Sequence, residues 1–302
     1  MKSKEILFIL NPISGLQRNK KSIEYLIHRE FKNHSTIDYQ IVYTDYAGHA
    51  SVLAKEAAQK GLYAVVAVGG DGTMNEVASG LVGSKTALGL IARGSGNGYA
   101  RSLNIPLRAT EAIEAIKYGE MIKVDVGKVN NQYYFFNVMG VGFDAYIGAK
   151  FQDFGLRGPI PYFYIGVRGW FQYDYEAFTL RFNDQILRLR PLLIAVANAP
   201  QYGMGARIAP HAKMDDGKFE LCILKKMKTL QALPRLLRLF NGSVEKVPFY
   251  QHFTVTEVVI ERERDKGLFH TDGEPRMGGK ELKISVLPLS LNVIVPAKGK
   301  RS

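Results

Sequence analysis

Two glycine-rich segments carry the residues best suited to phosphate chemistry. Residues 69–73 read GGDGT and follow an apolar run, and residues 94–97 read GSGN and follow the next one. Glycines let a backbone approach a ligand closely, and exposed N–H groups at the start of a helix attract anions. Asp71 would repel a phosphate unless a cation lay between them. These segments predict a phosphate cradle, with a turn that binds no ligand as the alternative.

The cradle is not one of the two common phosphate-binding fingerprints. Neither GxxxxGK followed by Ser or Thr, nor GxGxxG, occurs in the chain. A third segment, with Asn11, Ser14 and Gly15, follows the first apolar run and is expected at the same edge of the sheet. Phosphate binding here would therefore depend on three loops that follow successive strands.

The elements that must position these loops alternate along the first part of the chain. Strand-like runs occur at residues 6–10, 39–43, 64–68 and 87–91, and helical stretches at about 19–32, 49–60, 73–81 and 110–117. Alternation of this kind is typical of a parallel sheet covered by helices on both faces. The loops should emerge at the carboxyl ends of the strands, where ligands bind in such sheets.

After about residue 121 strands follow one another with few helices between them. Strand-like runs lie at residues 123–129, 133–138, 178–182, 192–197, 219–224, 253–260 and 281–286. This pattern predicts an antiparallel β-sandwich. We therefore expect an α/β domain over residues 1–122, completed by residues 288–302, and a β-sandwich domain over residues 123–287.

Composition limits the partners and the compartment. Forty Lys and Arg residues against 28 Asp and Glu give a formal charge of +12, which favours anionic partners. Cys222 is the only cysteine, so neither an intrachain disulfide nor a thiolate-rich metal site is expected. No apolar stretch reaches the roughly 20 residues that a spanning helix needs. We expect a cytoplasmic protein whose membrane contact is peripheral, at the inner face.

Several motifs together resemble the diacylglycerol kinase catalytic-domain superfamily, which includes bacterial soluble lipid kinases and sphingosine kinases. The glycine loops and the NPxSG segment at residues 11–15 belong to this set. Further motifs follow in order across nearly the whole chain: Thr44 with GHA at 48–50, DVG at 125–127, FNVxGxGFD at 136–144, DDG at 215–217 and DGEP at 272–275. The set is specific although each motif alone is modest. It implies an ATP-dependent lipid kinase with a nucleotide-binding α/β domain and a β-sandwich.

The resemblance also implies roles for individual residues. Asp272 would be the general base for the lipid hydroxyl, with Glu274 beside it, and Mg²⁺ would be bound through a network of Asp71, Asp125 and Glu274. A structural cation would be held by Asp216 and by main-chain carbonyls of Lys213 and Lys218, with a polar hairpin turn as the alternative. The ATP-binding residues would be Asn11, Ser14, Thr44, Gly69, Gly70, Asp71, Gly72, Thr73, Glu76, Gly94, Ser95, Gly96 and Asn97.

The chain departs from the bacterial pattern at one position. Bacterial members typically have Asn-Asp at the end of the second glycine loop, but here Asn97 is followed by Gly98. Sphingosine kinases also have a small residue at this place. The acceptor lipid is therefore diacylglycerol, a related lipid or a sphingoid base.

Two segments could contact an anionic membrane surface. Residues 225–240 combine Lys225, Lys226 and Lys228 with Arg235 and Arg238, for which a solvated helix is the alternative. Residues 151–175 are rich in aromatic and basic residues, for which core packing is the alternative. The residues in question are Phe154, Arg157, Tyr162, Phe163, Tyr164, Arg168, Trp170, Phe171 and Tyr173.

Three alternatives accompany this interpretation. An NAD kinase shares the GGDGT loop, but its later signatures do not match. A non-catalytic lipid-binding relative is the alternative from another class. No motif supports nucleic-acid binding.

Two further expectations concern a histidine and the oligomeric state. Of the histidines, His49 is expected near the nucleotide, and a homodimer is compatible with the sequence.

Overall fold

A computed structural model describes residues 3–13, 20–32, 34–153, 159–202, 205–228, 235, 238 and 241–297. The chain divides into two compact units. The first contains Met1–Val124 and Leu289–Ser302, and the second contains Asp125–Pro288. Each unit has its own hydrophobic core.

The first unit is built on five parallel strands. Four of them are β1 (Lys4–Leu10), β2 (Ile37–Tyr43), β3 (Ala64–Gly69) and β4 (Ala87–Ala92), and the fifth is the end of the long strand β14 (Glu274–Val295). They lie in the order β2-β1-β3-β4-β14. Asn292 and Val293 pair with Ala87 and Leu88, so residues from the far end of the chain complete this sheet.

Helices cover the parallel sheet because its strands are apolar on both sides. All six residues of β3 are buried, which requires apolar partners on both faces. The helices are α1 (Lys20–Phe31), α2 (His49–Gln59), α3 (Asp71–Leu81), α4 (Gly98–Ser102) and α5 (Ala109–Tyr118). Phe31 and Ile27 of α1 share a buried cluster with Ile113 of α5.

The second unit contains antiparallel strands together with helices. The strands are β5 (Glu120–Val129), β6 (Tyr133–Phe135), β7 (Val138–Gly142), β8 (Phe178–Phe182), β9 (Gln185–Leu189), β10 (Pro191–Ala197), β11 (Phe219–Lys225), β12 (Tyr250–Val255), β13 (Glu257–Thr271) and the start of β14. Strand β10 is buried along its whole length and pairs with β7 and β11. Two buried clusters flank these strands. The predicted fold class, an α/β domain with a β-sandwich-like domain, is confirmed.

The described residues of the second unit include helix α6 (Phe143–Asp153), helix α7 (Pro159–Gln172) and a short 3-10 helix over Val244–Lys246. Trp170 of α7 packs edge-on against Phe143, at 5.8 Å between ring centroids, and Tyr173 packs on the same ring at 5.4 Å. Within the part of the chain that the structure describes, no helix is both long and apolar enough to cross a membrane.

Candidate functional site

The two glycine loops of the first unit touch each other through their glycines. A Cβ atom on Gly94 would lie 2.8 Å from the Cα of Gly70, and one on Gly70 would lie 3.3 Å from the Cα of Gly94. At Gly69 a Cβ would lie 2.5 Å from Thr73 Oγ1. Glycine is therefore required here for the close contact between the loops, whether or not a ligand is bound.

Asp71 connects the two loops electrostatically. It is the first residue of α3, and its carboxylate accepts backbone N–H groups of Asn97, Gly98 and Tyr99 at the start of α4. Desolvation raises the pKa of Asp71, and the three N–H groups and the charge of Arg101 oppose that rise. A carboxylate that faces the start of α4 holds the second loop against the first.

Asn97 closes the second loop on itself. Its backbone is in the left-handed region, with φ 49°, which asparagine tolerates better than most residues. Its Oδ1 accepts the Gly94 N–H at 2.8 Å, and its Nδ2 donates to the Gly94 carbonyl at 2.8 Å. Ser95, between these two residues, is exposed, so the tip of the loop faces solvent.

The ends of β1, β2 and β3 are held together beside the glycine loops. Asn11 Nδ2 donates to Thr73 Oγ1 at 3.0 Å, and Asn11 Oδ1 accepts the N–H of Ile13 at 2.9 Å. The Thr44 N–H donates to the Leu10 carbonyl at 3.0 Å. The structure thus places the predicted Asn11 and Thr73 in direct contact. Ser14 lies outside the described residues.

A small hollow of about 10 Å³ opens beside this cluster. Most of its wall is apolar, and the basic residue among its described lining residues is Arg93, directly after β4. Sequence reasoning missed Arg93, although its place after a parallel strand was a usable signal. The lining residues are Leu10, Asn11, Pro12, Ile23, Tyr43, Val68 and Arg93.

The start of α2 contains His49, its first residue, and is contacted by the carboxylate of Glu76 from α3. The Glu76 carboxylate accepts the N–H of Gly48 at 2.9 Å and the N–H of Ala50 at 3.2 Å. These donors are backbone groups at the helix start, which the cap residue Gly48 cannot satisfy with a side chain. His49 stacks on Tyr46 at 4.6 Å and accepts the Asp45 N–H through Nδ1 at 3.1 Å. Both predicted nucleotide contacts thus have structural partners.

In the second unit, Asp272 and Gly273 form a two-residue turn between β13 and β14. Both have positive φ angles, 52° and 87°, which is typical of a type I′ hairpin, where Asp-Gly is favoured. Asp272 Oδ2 accepts the Phe136 N–H at 2.8 Å, and Oδ1 accepts the N–H groups of Asn137 and Val138 at 2.7 and 3.0 Å. The carboxylate is thereby fixed by three consecutive backbone donors.

Glu274 is the first residue of β14 and lies opposite Thr271 across the hairpin. The two predicted catalytic carboxylates, Asp272 and Glu274, therefore belong to the same hairpin. Both residues are half-buried.

Asp125 is fully buried and fixes the loop that follows residue 213. Its N–H donates to the Met214 carbonyl at 2.6 Å, and its Oδ2 accepts the Gly217 N–H at 2.7 Å. Asp216 Oδ1 accepts the N–H of Lys218 at 3.1 Å, so this carboxylate also closes its own turn. Among the described residues, no three His, Cys, Asp or Glu side chains are grouped as a metal site. The cation at this loop stays a prediction.

Two buried asparagines lie next to Asp125, and sequence reasoning gave them no role. Asn198 Nδ2 donates to the carbonyls of Asp125 and Phe136, both at 2.9 Å, which fixes the orientation of its amide. Asn137 and Asn198 are 2% and 0% exposed. Neither Oδ1 has a hydrogen-bond partner in the described part of the chain. Buried amide oxygens in proteins are usually satisfied by a hydrogen-bond partner or by ordered water.

Comparison with known proteins identifies the family of the chain. Residues 5–129 match the family model described as diacylglycerol kinase catalytic domain, and residues 137–295 match the YegS C-terminal NAD kinase beta sandwich-like domain. A Chromohalobacter salexigens protein named "Probable lipid kinase YegS-like" is 32% identical over 251 residues, covering 81% of this chain and 79% of the relative. A Serratia proteamaculans protein of the same name is 27% identical over 290 residues, covering 94% and 92%.

Solved structures show the same fold. A crystal structure of a diacylglycerol kinase from Bacillus anthracis str. Sterne has a TM-score of 0.71 at 22% identity, covering 97% of both chains. A second structure from that organism has a TM-score of 0.77 at 23% identity, again over 97% of both chains. The two family models and the curated relatives together show that the chain belongs to the diacylglycerol kinase catalytic-domain family, as a YegS-like lipid kinase.

Proposed function

We propose that this kinase transfers the γ-phosphoryl group of ATP to a hydroxyl of a membrane lipid in a Mg²⁺-dependent reaction. The observation that carries the proposal is the Asp272 hairpin. Three backbone N–H groups hold its carboxylate in one orientation at a tight turn. A base that takes a proton from an incoming hydroxyl needs such fixed placement.

The nucleotide half of the reaction belongs to the first unit. Gly69 to Thr73 offer backbone groups at the start of α3, where a helix end favours anions, and the exposed Ser95 lies at the tip of the second loop. Arg93, beside Asn11, adds a positive charge for a phosphate. We assign ATP to this edge of the sheet.

The proposed reaction transfers one phosphoryl group and one proton. The lipid hydroxyl oxygen bonds to the γ-phosphorus, its proton passes to Asp272, and the bond to the β-phosphate oxygen breaks to release ADP. When bound, Mg²⁺ would neutralise phosphate charge. Asp71, Asp125 and Glu274 would hold it, largely through water.

The acceptor is diacylglycerol or a related lipid, with a sphingoid base as the second candidate because of Gly98. The Gly98 N–H donates to Asp71, and an aspartate at this position would add a second carboxylate beside it.

Product analysis tests the proposal directly. The protein is incubated with radiolabelled ATP and Mg²⁺ and with separate vesicles or micelles of diacylglycerol, sphingoid bases and ceramide, and with NAD in solution. The expected result is a phosphorylated lipid, lost when EDTA is added. Phosphorylated NAD would establish the NAD kinase alternative, and ATP binding without any phosphorylated lipid would establish a non-catalytic relative.

We also propose that the enzyme binds an anionic membrane surface peripherally, at the inner face. Helix α7 supports this, because Val167 and Phe171 are 43% and 72% exposed, four residues apart, with exposed Arg168 between them. An apolar ridge next to a cation is typical of interfacial helices. Phe154 and Arg157 lie outside the described residues, as do the side chains of residues 162–164 and most of residues 229–240.

Vesicle sedimentation tests the membrane proposal. Binding should be stronger on anionic than on neutral vesicles, should weaken with salt, and should fall in Phe171→Ser and Arg168→Gln. Trp170 packs inside, so a substitution there would disturb the fold and is unsuitable as a test. Equal binding to both bilayers at every salt concentration would contradict electrostatic docking.

A further inference from the structure

We propose that His270 and Asp144 are positioning residues for the Asp272 hairpin, a role that rests on the proposed function. The Gly273 N–H, inside the turn, donates to His270 Nδ1 at 3.3 Å. The other ring nitrogen of His270, Nε2, lies 3.1 Å from Asp144 Oδ2. The side chains of His270 and Asp144 are only 3% and 10% exposed. A buried acid–imidazole pair therefore ends on the residue next to the proposed base.

The direction of these hydrogen bonds fixes the imidazole tautomer. A backbone N–H can only donate, so Nδ1 accepts from Gly273 and carries no proton. The ring proton is then on Nε2 and is donated to Asp144. Asp144 is itself oriented, because its Oδ1 accepts the Ala145 N–H at 2.8 Å and its Oδ2 accepts the Tyr202 hydroxyl at 3.0 Å.

The neighbouring strand, β7, has a glycine at the position that faces this pair. Gly140 of β7 lies opposite His270 in the sheet. A Cβ atom at Gly140 would collide with Asp144 Oδ2 and would lie 2.6 Å from His270 Nε2. The position thus admits only glycine as long as the pair is kept, which indicates that sequence and packing are adjusted to it.

The pair completes the control of the hairpin. Three donors fix the Asp272 carboxylate from one side. The hydrogen bond from the Gly273 N–H to His270 fixes the peptide group that follows Asp272. It thereby helps to hold Asp272 at its positive φ of 52°, which residues other than glycine seldom adopt. Small displacements of a reacting group reduce turnover strongly. We infer that Asp144 sets the tautomer, that His270 holds the turn, and that neither touches the reacting atoms.

Two substitutions at one position separate positioning from packing. His270→Asn keeps an acceptor at the place of Nδ1, whereas His270→Gln keeps a polar group only at the place of Nε2. We expect kcat to fall about 100-fold in His270→Gln and at least tenfold less in His270→Asn, with ATP affinity unchanged in both. Asp144→Asn should resemble His270→Gln, because its amide donor would force the opposite tautomer. The double variant should add little, since both changes remove the same hydrogen bond.

His252 provides the matched control. It is also paired with an acid, Glu220 at 3.2 Å, but it is exposed on β12, where it lies opposite Cys222 of β11. His252→Gln should leave kcat unchanged. Equal kcat in His270→Gln and His270→Asn would overturn the positioning role.

Two readouts that need no activity keep this inference separate from the proposed function. Selective ¹⁵N-histidine NMR should show a neutral His270 with its proton on Nε2. Amide exchange over residues 268–276 should rise in His270→Gln more than in His270→Asn. An inactive wild-type protein with this tautomer and exchange pattern would overturn the proposed function alone. A proton on Nδ1, or equal exchange in both variants, would overturn the inference alone.

Discussion

Asp71 in the first unit and Asp272 in the second are held by the same device. Each carboxylate accepts N–H groups from three consecutive backbone positions: residues 97–99 for Asp71 and residues 136–138 for Asp272. Backbone donors cost no side-chain entropy and stabilise a carboxylate in a fixed orientation. In both units, three backbone N–H groups thus fix the orientation of one carboxylate.

The surroundings of the two carboxylates differ. Asp71 begins a helix, its donors begin another, and Arg101 lies close enough to influence its charge. Asp272 is at the tip of a hairpin in a left-handed conformation, and its donors are 134 to 136 residues away in sequence. The first arrangement joins two loops that must stay in contact. The second presents a carboxylate at a turn while holding it still, which is what a general base requires.

The largest effect should come from Asp272→Asn. Its amide NH₂ would face backbone donors and could not take a proton, so kcat should fall about 10²–10⁴-fold while calorimetry shows unchanged ATP affinity. Asp184 provides a matched control, because it also has a positive φ, 58°, in the hairpin between β8 and β9. Asp184→Asn should keep full activity. Turnover in Asp272→Asn within about twofold of wild type would remove Asp272 from the mechanism.

Gly94→Ala should break the first arrangement and leave the second intact. The new Cβ would lie 2.8 Å from the Gly70 Cα, and overpacking of this kind costs about 1–3 kcal/mol. The Kd for ATP should therefore rise on the order of tenfold. Gly279→Ala is the control, because a Cβ there meets nothing within 4 Å. An unchanged Kd for ATP in Gly94→Ala would contradict the assignment of this contact to nucleotide binding.

Glu76→Gln tests whether a third carboxylate acts on backbone donors for stability. Glu76 accepts two N–H groups at the start of α2, and losing one acceptor should lower the free energy of unfolding by about 1–2 kcal/mol. Urea unfolding followed by circular dichroism measures this loss. Glu56 is exposed on α2, and Glu56→Gln should leave the midpoint of urea unfolding unchanged. Equal midpoints for both variants would contradict a capping role for Glu76.

The smallest effect concerns Cys222, which is buried without such a cradle. Burial raises the pKa of its thiol to about 12, and the Tyr250 hydroxyl donates to its sulfur at 3.1 Å. Since the ordinary value is 9.0, the neutral folded thiol favours folding below about pH 9 and that contribution is lost as pH rises toward 12. A thiol reagent at pH 8 should label Cys222 only as fast as the protein unfolds. Rapid labelling of the native protein would contradict this.

Local patterns predicted the fold class and the first arrangement. Alternating strands and helices gave the parallel sheet, and loops after adjacent strands were expected together, as Gly70 and Gly94 are. The second arrangement could not be predicted, because nothing near Asp272 indicates that residues 136–138 donate to it. His270 was overlooked for the same reason, since its partner Asp144 is distant in sequence. The five-residue helix α4 is too short for periodicity to detect. The roles of the predicted site residues stay predictions.

Strand β14 has a consequence for how the protein is made. Its first residue follows the Asp272 hairpin, and its last residues pair with β4 of the first unit. During translation the edge of β4 therefore stays unpaired while residues 125–288 are synthesised, which takes roughly 10–30 s at bacterial rates of about 5–20 residues per second. An open edge of an apolar parallel strand invites pairing with other chains. A fragment that stops at Val124 would keep that edge permanently and should aggregate, so the first unit is best expressed with residues 289–297 fused to it by a short linker.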